Sequence, residues 1–185
     1  RWNDLQIVYE EPADWYVIIN GHNIDHLPSD AKCIYIQMEP HLKAPADQRY
    51  KHILTWDRTH NMTEWHLAKT YYQLRNMTVS KSYSILSAIL SDKYNDPGHI
   101  KRIDFVKYLE SKGLDVHVYG GNRFKWKNYK GALPSHQKDD GLFPYKYTIN
   151  VENHETRGYF SEKLVDGILA ECLVFYSGCI NIKDY

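Results

Sequence analysis

"YSILSAILSDKYNDPGHIKRIDFVKYLESKGLDVHVYGG", residues 83–121, decides the fold class of this chain. Residues 83–91 form an apolar run of the length of a buried strand, and residues 95–113 repeat at helical spacing, with Ile103, Val106 and Leu109 on one face and Gly113 as the stop. Residues 114–121 return as a strand that ends in a Gly120–Gly121 turn. Strand, helix and strand in this order make a β-α-β crossover, the connection that joins parallel strands. The order recurs downstream: 144–153 reads as a strand, 159–171 as a helix and 172–177 as a strand. Upstream, 5–10, 15–20, 33–38 and 51–56 read as strands and 63–74 as a helix. Residues 122–143, polar and punctuated by Gly and Pro, read as a loop with a short helical turn. The fold class is therefore α/β. A shift of composition at "RNMTVSKS", 75–82, marks the expected boundary between a domain at 1–78 and one at 79–185.

The 185 residues are 43% hydrophobic and 14% aromatic, enough for a sizeable core. Lys and Arg number 23 and so do Asp and Glu, so no global field draws the chain to nucleic acid or anionic lipid, and an anionic ligand has to be met by a local cluster. No stretch reaches the ~18–20 apolar residues of a membrane helix, and "RWNDLQIVYEE" lacks the pattern of a signal peptide. Cys33, Cys172 and Cys179 form no CxxC pair and favour a reducing compartment, whereas Asn-x-Thr sequons at Asn61 and Asn76 point the other way. His22, His26 and Cys33 do not read as a zinc set, because the His22–His26 pair reads as a loop. Asp139 and Asp140 are adjacent, without Asp-x-Asp spacing, and read as loop charge.

In open parallel sheets ligands bind beyond the carboxyl ends of strands. In this chain those positions are Glu39, residues 92–102, Gly120 with Gly121, and residues 152–163. Arg102 is expected in the first turn of its helix and Lys163 early in the next, where the dipole and free N–H groups favour anions; the two together suit a diphosphate. By local pattern alone, Ser161 is an N-cap and Glu162 with Lys163 a solvated first turn, Lys101 competes with Arg102 as the phosphate contact, and Glu39 is a loop carboxylate before Pro40. No GxGxxG follows a strand, which argues against a dinucleotide-dependent oxidoreductase.

A longer pattern stands over the second crossover. Tyr145, Lys146 and Tyr147 are followed by Val151, Glu152, Asn153 and His154, then by Tyr159, Phe160, Ser161, Glu162 and Lys163, and then by an apolar helix and a strand. In order and spacing this resembles the donor-site signature of the α1,3-fucosyltransferase family, glycosyltransferase family 10, although His154, Val151 and Ser161 stand where that signature has Ser, Phe and Thr. Residues 84–121 resemble the family's Arg-bearing helix unit, and "CIYIQMEP", 33–40, its acceptor-side strand ending in Met-Glu. The resemblance implies a GT-B architecture of two Rossmann-like domains facing across a cleft, with the acceptor on the 1–78 side and a GDP-sugar, GDP-fucose, on the 79–185 side. It implies an inverting, metal-independent transfer of L-fucose to a glycan hydroxyl, with Glu39 as catalytic base. Arg102 and Lys163 would then neutralise the diphosphate, Glu162 and Asn153 bind sugar and ribose hydroxyls, and Tyr159 lie beside the nucleotide. No cofactor, metal, nucleic-acid partner or membrane segment is implied. The expected location is the cytoplasm, or the Golgi lumen if an anchor precedes the chain. The alternatives are a GT-B transferase of another nucleotide sugar and a non-catalytic carbohydrate- or nucleotide-binding relative.

Overall fold

In the computed structural model, which describes residues 6–9, 12–21, 23–40, 42–55 and 64–185, the strand expected first anchors the larger of two sheets. Tyr83–Leu90 (β4) pairs in parallel with Val116–Gly120 (β5) on one side and with Tyr145–Val151 (β7) on the other. Tyr129–Gly131 (β6) extends the sheet beyond β5, and Leu173–Ser177 (β8) extends it beyond β7, giving the order β6-β5-β4-β7-β8 with every pair parallel. The chain thus steps outward from β4 in one direction, then returns to its far side and steps the other way. The reversal leaves a crevice between the carboxyl ends of β4 and β7, the switch point where doubly wound sheets take ligands.

Pro97–Ser111 (α2) links β4 to β5. Pro97 suits a first turn because its missing N–H has no intrahelical acceptor there, and Gly113, at φ 79°, ends the helix as expected. Ile103 and Val106 are fully buried against Ala88, Leu90, Val116, Val118, Ile149 and Val151. Burial of one such aliphatic side chain contributes about 1.5–3 kcal/mol. Because α2 begins at Pro97, Arg102 is its sixth residue and lies in the second turn, not the expected first, on the buried face beside Ile103. Gly98 lets the start of α2 touch the end of β7: its N–H donates to the Asn153 carbonyl at 3.0 Å, and a Cβ there would collide with the Glu152 carbonyl oxygen.

The other face of the sheet carries Asp139–Leu142 (α3) and Glu162–Leu169 (α4). Leu142 and Ala170 are buried there with Leu67, and Trp65 packs against them. Of the helix expected at 63–74, residues 64–70 run instead as a strap with a bend at 67–68, and helix begins only at Tyr71–Asn76 (α1), capped by Thr70 in a capping box with Gln73. β6 lies where a loop was expected, and α3 supplies the expected helical turn.

A second, smaller sheet consists of Tyr16–Ile19 (β1), Cys33–Gln37 (β2) and Tyr50–Thr55 (β3), all parallel in that order. Its core is Cys33, Tyr35 and Tyr50 packed on Ile24, Leu27 and Ala31 from the connection after β1. Arg49 supports that connection by donating to the Ile24 and Leu27 carbonyls at 3.0 and 3.2 Å. Residues 6–9 are exposed and form no strand, contrary to expectation; Leu5, Glu10, His22, Trp56, Asn61 and Thr63 lie outside the described residues. The chain divides into compact units at Arg1–Met62 and Thr63–Tyr185, a division that precedes the expected 78/79 junction and leaves the strap and α1 with the larger unit. Among the described residues no helix is long and apolar enough to cross a membrane.

Candidate functional site

The carboxyl end of β4 supplies Leu90 and Ser91, and that of β7 supplies Ile149, Asn150 and Val151, to a pocket of about 220 Å³. This is smaller than the ~300–1,000 Å³ typical of sites that enclose a whole ligand, so the pocket fits one part of a larger molecule. Its charged lining is Arg102 from α2, Glu162, Lys163 and Asp166 from α4, and Lys138 from the segment before α3.

Arg102 reaches the pocket from the buried face of α2 and is only 6% exposed. Its Nη1 donates to the Val151 carbonyl and to Asn153 Oδ1, each at 3.2 Å, and its Nη2 donates to Ser91 Oγ at 3.2 Å. Its Nε has no hydrogen-bond partner, and among the described residues no carboxylate pairs with it. Burial pushes the guanidinium pKa down, opposed by the charges of Glu152, Asp96 and Glu162. A buried guanidinium hydrogen-bonded only to neutral acceptors keeps a charge that no direct ion pair neutralises.

Lys163 is placed by the N-cap. Ser161 Oγ accepts from the Lys163 N–H at 3.4 Å, and Glu152, 1% exposed at the end of β7, accepts from Ser161 N at 2.8 Å and Ser161 Oγ at 2.6 Å. One buried carboxylate therefore ties the strand end to the helix start. Lys163 Nζ stands 3.6 Å from Glu152 and 3.3 Å from Glu162. For Glu162, burial alone would raise the carboxyl pKa, but the Lys163 and Lys138 charges outweigh it and hold the value at about 2. Glu162 is thus an ionised acceptor in the pocket wall.

Of the residues expected from sequence, Arg102, Glu162 and Lys163 are brought together in this pocket. Asn153 touches Arg102 and is not part of the lining, and Tyr159 is buried and not part of the lining either. Glu39 follows β2 in the smaller unit, where Gln37 Nε2 donates to its carbonyl at 3.0 Å and to that of Leu42 at 2.7 Å, shaping the turn. Asp139 is no loose loop charge: it begins α3 and takes the Ala68 N–H at 2.7 Å and Lys69 Nζ at 2.5 Å. Lys138 and Asp166 were not anticipated. Asp166 had a signal, since it stands four residues after Glu162 on one helix face, whereas Lys138 sits in a polar loop with none. Among the described residues no three His, Cys, Asp or Glu side chains gather as a metal ion requires. Compared with known proteins, the chain matches no family model and no curated protein.

Proposed function

We propose that this chain is an inverting glycosyltransferase of the GT-B type that moves a sugar, L-fucose, from a GDP-sugar to a glycan hydroxyl. The observation that carries the reading is Arg102: a buried guanidinium with no carboxylate partner among the described residues and an unused Nε, at the switch point of a doubly wound sheet. The N-terminus of α4, with Lys163 in its first turn, adds partial positive charge at the same pocket. A departing nucleoside diphosphate needs such charge, and fixed donors supply it without reorganisation. The pocket volume suits the diphosphate portion of the donor. In this reading Glu39, in the smaller unit, takes the proton of the acceptor hydroxyl.

The test is thermal shift and calorimetry with GDP, UDP, ADP and CMP in EDTA. GDP is expected to raise the melting temperature without metal, by the equivalent of about 2.7 kcal/mol at a hundredfold excess over Kd. Binding that requires Mn²⁺ or Mg²⁺, or binding of none of the four, overturns the reading. On the same preparation Glu39→Gln is expected to leave GDP-fucose affinity unchanged and lower transfer about 10²–10⁴-fold. Transfer at the parent rate removes Glu39 from the mechanism.

The ion pairs of Lys163 with Glu152 and Glu162 favour a second reading, in which the scaffold binds a nucleotide without catalysis. Nucleotide binding with no transfer to any acceptor glycan distinguishes it.

A further inference from the structure

Lys138 comes from outside the signature segment and from outside α4, yet its ammonium lies at the centre of the charged wall. Nζ stands 2.9 Å from Asp166 Oδ2 and 3.2 Å from Glu162 Oε1. Asp166 is fixed at both oxygens, because its Oδ1 accepts the His66 N–H at 2.7 Å, and its side chain is 1% exposed. The backbone of Lys138 is fixed as well, since its N–H donates to the His66 carbonyl at 2.9 Å. The strap at residues 64–70, α4 and the segment before α3 therefore converge on one immobilised ammonium group.

The hydrogen bonds and ion pairs of the Glu162 side chain among the described residues all fall on one oxygen. Oε1 meets Lys138 at 3.2 Å, Lys163 at 3.3 Å and His66 Nδ1 at 3.9 Å. No hydrogen bond or ion pair among the described residues falls on Oε2. We infer that Lys138 is a positioning residue: by bridging Asp166 and Glu162 it anchors Glu162 Oε1 and presents Oε2 to a hydroxyl of the sugar portion of the donor. The inference rests on the glycosyltransferase reading for the identity of that ligand, but the Lys138–Glu162 link itself does not. A purely packing role is better met by an apolar side chain, because a buried ion pair rarely adds net stability over a hydrophobic replacement of similar volume.

Single removal of Lys138 would leave Asp166 buried and uncompensated, so the informative variants are Lys138→Arg, which keeps the charge, and Lys138→Met combined with Asp166→Asn, which removes the pair together while Asn keeps an acceptor for His66 N–H. The first readout needs no ligand. Titration of the Glu162 carboxyl carbon by NMR is expected to show its midpoint rising from about 2 toward the ordinary glutamate range in the double variant, with Lys163, His66 and Arg102 still facing it, and staying low in Lys138→Arg. The second readout is the ratio of GDP-fucose to GDP affinity by calorimetry. The double variant is expected to lose about tenfold or more of the preference for the sugar-bearing ligand, GDP-fucose affinity falling further than GDP affinity, and Lys138→Arg is expected to keep the parent ratio. An unmoved Glu162 midpoint overturns the inference, as does a moved midpoint with the affinity ratio unchanged. If the parent binds neither nucleotide, the glycosyltransferase reading fails, and the titration alone decides whether Lys138 sets Glu162.

Discussion

Glu162 and Asp166 share Lys138, yet their environments drive them in opposite directions. Burial raises both; at Glu162 the Lys163 and Lys138 charges prevail and the carboxyl stays at about 2, whereas at Asp166 burial prevails over Lys138 and the His66 N–H, and its pKa is raised. The signs for stability follow. A carboxyl depressed below its ordinary 4.5 contributes stability that is present above that value and lost as pH falls toward about 2. Asp166, raised above 3.8, favours the folded state below that value and loses this contribution as pH rises. His99 and His117, both pushed below 6.5 by burial, contribute stability present above 6.5 and lost as pH falls. Acid destabilisation is therefore expected to begin below pH 6.5 with the histidines and to gain the Glu162 contribution below 4.5. Denaturant unfolding of the parent and Glu162→Gln across pH 7 to 2 checks this: the parent's advantage should shrink between 4.5 and 2, and a pH-independent difference would refute the ion-pair account.

At the scale of elements, the start of α2 and the end of β7 are one construction. Gly98 allows the two backbones to touch, and that contact holds Asn153 where its Oδ1 meets Arg102. In an exposed helix Gly→Ala would stabilise by about 1 kcal/mol. At Gly98 the new Cβ meets the backbone carbonyl of Glu152, which has no rotamer by which to yield, and overpacking of this kind costs about 1–3 kcal/mol. Gly98→Ala is thus expected to destabilise the protein by up to about 2 kcal/mol and to weaken nucleotide binding through the shift of Asn153 and Arg102. Thermal melting with and without GDP measures both effects; a stabilised variant would show that the α2–β7 contact is loose.

At the scale of the whole molecule, the strap at 64–70 belongs with the larger unit. Leu67 is buried against Leu142 and Ala170, Lys69 pairs with Asp139, and His66 N–H secures Asp166. A fragment of residues 63–185 is expected to fold, while one of residues 79–185 should melt at lower temperature, with a loss of at least about 3 kcal/mol from uncovering Leu142 and Ala170 and removing Leu67. Equal melting of the two fragments would refute this role for the strap. The sequence by itself determined the parallel α/β class, the two crossovers flanking the switch point, the Gly113 stop and the Ser161 cap, because each is written in local periodicity and terminal chemistry. It also placed Glu162 and Lys163 at a helix start, which the structure brings to the pocket. Only the tertiary structure decided that Arg102 is buried rather than a first-turn surface cation, that residues 64–70 run as a strap rather than a helix, and that Lys138 and Asp166 complete the charged wall. The reason is the range of the interactions. The Lys138 pairs with Glu162 and Asp166 span 24 and 28 residues, and the His66–Asp166 hydrogen bond spans 100, so desolvation and charge pairing across elements selected them and no local pattern encodes them.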